Sequence, residues 1–148
     1  GTENLPGIVG FGIAASIMAS KKKLMNKVAR IRDDLESRVL LSSSNVQIYG
    51  REAARLPNTS CVSMPGVPAD EQVAAMDLKG FMISAGSACS SGKVEPSHVL
   101  MAMGASKLEA ADAIRVSLGW NTTVSDVEEF FAAWLDLYDK NQRRASAA

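Results

Sequence analysis

The chain has 148 residues, of which 47% are hydrophobic and 22% are charged, a composition typical of one soluble globular domain. Its 16 basic and 16 acidic residues cancel to a formal net charge of zero, so no overall field attracts nucleic acid or an anionic membrane. The two cysteines and the single histidine fit no zinc-ligand spacing and no disulfide framework. We therefore expect a cytoplasmic domain with reduced thiols and without a metal, nucleic-acid or membrane partner.

Apolar residues recur at three- and four-residue steps through the first forty positions and predict a helix with one buried stripe. Thr2 is the predicted start signal, and a break is expected at 20–23. The apolar segment 5–19 is shorter than the roughly 20 residues that span a bilayer, and its lysines follow it, unlike those of a signal peptide. We therefore predict a core helix. The stripe comprises Leu5, Ile8, Val9, Ile13, Ile17, Leu24, Val28, Ile31, Leu35 and Val39.

Four short segments are predicted as strands because they alternate apolar and polar residues or lie between turn-forming residues. In the last of them, Ile114, Val116 and Leu118 alternate with Arg115 and Ser117, which gives one apolar and one polar face. The predicted strands are 46–49, 61–64, 81–84 and 114–118.

Helices are predicted between and after these strands, at 69–78 and 97–103. Ser106 and Glu109 match a capping box for another short helix, and Thr123 or Ser125 caps the last one. Strands grouped with helices at both ends, without a regular βαβ repeat, predict an α+β domain. We expect a small, mainly antiparallel sheet of about four strands with helices packed on one face. This domain spans residues 1–140, and 141–148 is a polar tail.

Cys89 is the first candidate for chemistry because it lies in a loop of glycine, serine and alanine. The thiolate is the reactive form of cysteine, and an accessible loop lets it reach a substrate. A small buried hydrophobe is the usual alternative for a free cysteine, and the residues alone leave both interpretations open. Cys61, beside Val62 in a predicted strand, is assigned to the core.

Arg115 projects from the polar face of its predicted strand, and its forked guanidinium suits a carboxylate. A solvated sheet face or a structural ion pair is the alternative interpretation. His98 is a weaker candidate for a general base, since a surface or capping histidine is the better explanation of its position. Thr2 and Asn4 precede a helix, where they either cradle a phosphate or only cap the helix.

Three motifs, in this order and spacing, resemble the carboxy-terminal small domain of cysteine desulfurases of the NifS and IscS type, members of the class V aminotransferase family. They are GTEN at 1–4, SAGSACSSG at 84–92 followed by EPSHVL, and IRVSLG at 114–119. The chain also begins at Gly1 rather than at methionine, which indicates a fragment or a processed chain. The resemblance covers nearly the whole chain and implies the small domain of a fold-type I pyridoxal phosphate enzyme.

The resemblance implies a reaction and a role for three residues. In that family pyridoxal phosphate activates L-cysteine, which becomes L-alanine while its sulfur forms a persulfide on a loop cysteine. Cys89 matches this nucleophile, and Arg115 matches the arginine that binds the substrate carboxylate. Thr2 matches the residue that reaches the cofactor phosphate of the neighbouring subunit in a homodimer. A sulfur-acceptor or scaffold protein, in iron–sulfur cluster assembly or thiolation, is the implied partner.

The chain departs from the family pattern in its cofactor residues. No lysine follows a histidine here, so the lysine of the Schiff base is missing, and the aspartate for the pyridine nitrogen belongs to the absent larger domain. We therefore expect residues 1–148 alone to bind pyridoxal phosphate poorly and to show no turnover. The alternatives are a standalone sulfur-carrier or interaction module that uses Cys89 without a cofactor, and an inactive dimerisation domain.

Overall fold

The structure is a computed structural model that describes residues 1–86 and 96–147. Helices and strands alternate irregularly along the chain. In order they are α1 (Leu5–Ser20), α2 (Lys22–Ser42), β1 (Gln47–Ile48), β2 (Thr59–Ser63), α3 (Ala69–Asp77), β3 (Ser84–Ala85), α4 (His98–Ala102), α5 (Lys107–Ala111), β4 (Ala113–Ser117) and α6 (Val124–Ser146).

The strands form one antiparallel sheet in the order β1-β2-β4-β3. Its centre is the pairing of β2 with β4, which runs from Thr59 opposite Ser117 to Ser63 opposite Ala113. β1 adds to the free edge of β2, and β3 adds to the free edge of β4. The predicted α+β class, with a small antiparallel sheet of four strands, is confirmed.

The main core lies on one face of this sheet. Val62 on β2 and Ile114 and Val116 on β4 are buried there, because every second residue of a strand points to the same face. Helices α2, α3 and α6 cover this face, with Leu35, Met76 and Trp134 as their most buried large side chains. The opposite face, which we call the outer face, carries a smaller cluster formed with residues of α4 and α5.

Local capping defines where several helices begin. Ser106 and Glu109 form the predicted capping box at α5, with Ser106 N–H donating to Glu109 Oε2 at 2.7 Å. Thr123, one of the two predicted caps, starts α6. The prediction that Thr2 starts the first helix is wrong, since Asn4 is its cap and accepts from the Gly7 amide at 3.2 Å. Proline at the second helical position is compatible with this start.

The prediction that 5–19 is a core helix is half wrong. The segment is helical, and the predicted break lies at Lys21, but the described residues bury none of the side chains of α1; Phe11 is 78% exposed. The apolar stripe is buried only in α2, at Val28, Ile31, Leu35 and Val39. α1 is apolar on all sides, which is the pattern of a helix that is covered all round, and the described residues of this chain do not cover it. Within the described part of the chain, no helix combines the length and the apolar character that crossing a membrane requires.

The last helix is longer than predicted. α6 runs to Ser146 and so includes most of the segment 141–148 that we expected to be a polar tail. Residues 142–145 are good helix formers, and Arg143 and Arg144 lie in the last turn, where positive charge favours the helix dipole.

Candidate functional site

Arg115 is the charged residue that the strand pattern places on the outer face. Its neighbours Ile114 and Val116 point into the main core, so its guanidinium leaves the opposite side of β4 and is exposed. Among the residues that the structure describes, no carboxylate forms an ion pair with it. This finding argues against the structural ion pair that the sequence left open.

Arg115 is part of a row of residues that crosses the sheet. Cys61 on β2 and Ser84 on β3 lie directly opposite Arg115 on its two sides. Tyr49, just after β1, donates its backbone N–H to the Cys61 carbonyl oxygen at 2.9 Å. Directly opposite residues of antiparallel strands have Cβ atoms about 4.5–5.5 Å apart on the same face. The outer face therefore places the Cys61 thiol beside the Arg115 side chain.

An open cavity of about 380 Å³ lies between this row and α4. Tyr49, Cys61 and Arg115 line it from the sheet, and Leu100 and Met103 line it from the helix side. Arg115 is the one charged residue among its described lining residues. A mostly apolar cavity with one guanidinium is suited to a small molecule that carries a carboxylate, because the two N–H donors of the fork match both carboxylate oxygens.

Cys61 packs against the smaller cluster on the outer face and not in the main core, so its assignment to the core is confirmed only in part. The thiol is half-buried on the outer face, since Val62 occupies the core position and its neighbour must point the other way. Burial raises the pKa of the Cys61 thiol, and the charge of Arg115 opposes this shift. The thiol is therefore protonated near neutral pH and is a poor nucleophile. Val62 and Met64, two residues apart and both buried, were the signal in the sequence that would have placed Cys61 on the opposite face.

The other predicted site residues are Cys89, His98 and Thr2. Cys89 lies outside the described residues. Gly86 and Ser97, on either side of that segment, both line the cavity, and a Cβ atom on Gly86 would lie 3.5 Å from the Ser97 Cβ atom.

His98 is the exposed first residue of α4, and Thr2 is exposed ahead of α1; neither lines the cavity. The described residues thus bring Arg115 and Cys61 together, with neither His98 nor Thr2 beside them.

A second, larger cavity of about 550 Å³ lies between α2 and the segment 51–55. It is strongly charged, but Glu36 and Arg55 pair with each other at 2.6 Å, and Arg32 pairs with Asp33 at 2.7 Å. Four of its charged residues are therefore paired with one another, whereas Arg115 has no ion-pair partner among the described residues.

Comparisons with known proteins place the chain in a family. Residues 1–130 match the family model described as Aminotransferase class-V. A cysteine desulfurase of Cereibacter sphaeroides is 37% identical over 140 residues, which are 95% of this chain and 36% of that protein. A cysteine desulfurase of Gluconacetobacter diazotrophicus is 40% identical over 129 residues, which are 86% of this chain and 32% of that protein.

Solved structures agree with these relatives. The X-ray structure of a NifS-like protein from Rickettsia africae is similar with a TM-score of 0.80 and 34% sequence identity, over 94% of this chain and 36% of the other. The chain spans about a third of the length of the curated relatives that it matches. It belongs to the aminotransferase class-V family and is similar to that family's cysteine desulfurases.

Proposed function

We propose that this chain is the small domain of a pyridoxal phosphate-dependent cysteine desulfurase and that Cys89 receives the sulfur of L-cysteine. The observation that carries the proposal is the position of Arg115. Its guanidinium, without an ion-pair partner among the described residues, lies in a cavity bordered by Gly86 and Ser97. These two residues flank the segment that carries Cys89.

The proposed reaction converts L-cysteine and the Cys89 thiol into L-alanine and a Cys89 persulfide. The bond between the substrate carbon and sulfur breaks, and a bond forms between that sulfur and Cys89 Sγ. The electron pair of the broken bond stays on carbon, which takes up a proton. Atoms and electrons balance without an added oxidant or reductant.

Arg115 binds and orients the substrate in this proposal. A carboxylate held by two charge-assisted hydrogen bonds leaves the rest of a small amino acid in the mostly apolar cavity. Orienting a substrate in this way lowers the entropic part of the barrier.

The described residues of the cavity do not supply the cofactor's main contacts. The described residues that line the cavity include neither a lysine amine nor a carboxylate, so they offer no partner for a Schiff base and we derive no step through the cofactor. We propose that these groups belong to a larger domain, to which Thr2 adds a contact with the cofactor phosphate across a homodimer. The exposed apolar surface of α1 supports this proposal, because such a surface marks a contact with another protein surface. A sulfur-acceptor or scaffold protein in the cytoplasm completes the proposed set of partners.

A chimera tests the proposed function. The chain replaces the matching third of the Cereibacter sphaeroides cysteine desulfurase, and alanine formation from L-cysteine is measured together with persulfide on Cys89 by mass spectrometry. We expect Cys89→Ala to abolish persulfide transfer, and His98→Ala, at an exposed position outside the cavity, to retain activity.

Two results would contradict the proposal. The first is a folded chimera that forms no alanine, and the second is a Cys89→Ala variant that transfers sulfur as well as the parent. The 148-residue chain alone should release no sulfide from L-cysteine. Acceptance of a persulfide by Cys89 in that isolated chain, together with an inactive chimera, would favour the standalone sulfur carrier.

A further inference from the structure

We propose that Cys61 forms the wall of the Arg115 carboxylate site and limits the size of the group that a bound carboxylate carries. The proposal deepens the proposed function, because it concerns the same cavity. It names the ligand class as small carboxylates and small α-amino acids, and it assigns Cys61 a role in size selection rather than in sulfur transfer.

The sheet register is the first argument. Cys61 and Arg115 are direct partners in the pairing of β2 with β4, so their side chains leave the same face at neighbouring points. Both line the one cavity. A carboxylate that accepts from the guanidinium therefore has its next carbon within reach of the Cys61 sulfur.

The surroundings of Cys61 are the second argument. Its thiol packs with Tyr49 against the outer-face cluster of Leu100, Ala110 and Ala113, so it cannot move away from an enlarged ligand without disturbing that packing. The volume of residue 61 therefore determines how much room is left beside Arg115. Because burial keeps the thiol protonated, it does not compete with Cys89 as a nucleophile.

Two alkylating reagents of nearly equal size test the placement. In a Cys89→Ser chain, Cys61 is the one remaining thiol of the two cysteines. Iodoacetate and iodoacetamide both alkylate a thiol: the S–C bond forms, the C–I bond breaks, iodide leaves and the thiol proton goes to solvent. Only iodoacetate carries a carboxylate that Arg115 can bind beside Cys61. The two rate constants are measured for Cys61 and, in parallel, for glutathione.

We expect iodoacetate to be favoured at Cys61. Its rate relative to iodoacetamide should exceed the same ratio for glutathione by about tenfold or more, since a charge-assisted hydrogen bond is typically worth at least that factor in binding. The iodoacetate rate should saturate with concentration. L-Alanine should slow it, and alaninamide, which lacks the carboxylate, should not.

Variants of Arg115 supply the matched controls. Arg115→Gln should return the ratio to that of glutathione, and Arg115→Lys should retain part of the preference because it keeps the charge but loses the fork. Unfolding midpoints of each variant establish that the fold is intact. If Arg115→Gln does not fold, the comparison of L-alanine with alaninamide on the Arg115 chain still decides the question.

Two outcomes would overturn the proposal. One is a glutathione-like ratio that neither Arg115→Gln nor L-alanine changes. The other is a Cys61 thiol that reacts with neither reagent at alkaline pH, where loss of the thiol proton no longer limits the rate; this would show that the thiol is closed off from the cavity. The alkylation experiment and the competition with L-alanine use a chain without Cys89 and without a cofactor. A negative result in either is therefore distinguishable from a failure of persulfide formation in the chimera.

Size selection has its own readout in the chimera. Cys61→Ser keeps the side-chain volume nearly constant and is the reference variant, so a comparison with it isolates the effect of size. Cys61→Leu should raise KM by about tenfold relative to Cys61→Ser, with a smaller effect on kcat, because the larger side chain takes up room beside Arg115 and a methylene of misfit costs about that factor. Equal KM values for the serine and leucine variants would contradict the assignment.

Discussion

Arg55 donates from both terminal nitrogens to the two carboxylate oxygens of Glu36, at 2.7 and 2.6 Å. Glu36 lies on α2 and is only 1% exposed. Arg55 also donates to the Thr59 carbonyl oxygen at 3.2 Å, where β2 begins. The Glu36–Arg55 pair therefore holds the segment that precedes β2 against α2, the helix that covers the main core. β2 is the strand that carries Cys61.

Replacing Glu36 tests the importance of this pair. Glu36→Gln should lower the free energy of unfolding by about 3 kcal/mol, because removal of one partner leaves a partly buried charge without compensation. The matched control is Glu128→Gln, which removes an exposed contact with Arg38 at 3.4 Å and should cost less than about 1 kcal/mol. Urea unfolding measures both, and equal losses would contradict a structural role for the buried pair.

The two halves of the amino-terminal apolar pattern should respond differently to truncation of a side chain. Leu35→Ala on α2 should cost about 2–5 kcal/mol, because Leu35 is 1% exposed in the main core and its loss leaves a cavity. Ile13→Ala on α1 should change stability by less than about 0.5 kcal/mol, since Ile13 is 57% exposed. Thermal and urea unfolding of the two variants check this, and a comparable loss in Ile13→Ala would show that α1 packs on the domain.

Asp112 should give an unusual pH dependence. Burial raises the pKa of its carboxyl above the ordinary 3.8, and the hydrogen bond from the Gly66 amide only partly opposes this. Because the folded state then binds the proton more tightly than the unfolded state, the stability contributed by protonated Asp112 is full below pH 3.8 and is lost as pH rises through the folded pKa.

Asp112→Asn isolates this contribution from the other carboxyl groups. The free energy of unfolding of the parent chain should fall relative to that of this variant as pH rises above about 4, because the amide does not ionise. Urea unfolding at a series of pH values measures the difference. A difference that is constant with pH, or that moves in the opposite direction, would contradict the raised pKa.

Asp136 should titrate in the opposite sense. Lys79 and Lys140 donate to its Oδ2 at 2.8 and 2.9 Å and lower the pKa of this carboxyl to about 2. Ionised Asp136 therefore makes its full contribution to stability at pH values above the ordinary pKa of 3.8. This contribution is lost as the pH falls through about 2. In an NMR titration, Lys79→Ala should raise the pKa of Asp136 toward 3.8, and an unchanged value would rule out the contact between Lys79 and α6.

The candidate site was predictable from the sequence only in part. Arg115 was found because a charged residue within an alternating strand must leave the face opposite the apolar residues. The sequence placed Cys61 in the core but did not show that it packs on the outer face of the sheet and not in the main core. Its position beside Arg115 depends on the pairing of β2 with β4, and the two residues are more than fifty positions apart in the sequence.

The sequence by itself determined the local features of this protein. The capping box of Ser106 and Glu109 and the buried stripe of α2 follow from spacings within a few turns, where the interacting groups are close in the chain. Only the tertiary structure decided the strand order and register, the exposure of α1, and the meeting of Cys61 with Arg115. These depend on contacts between distant segments, and a shift of one residue in register would move every side chain of a strand to the other face.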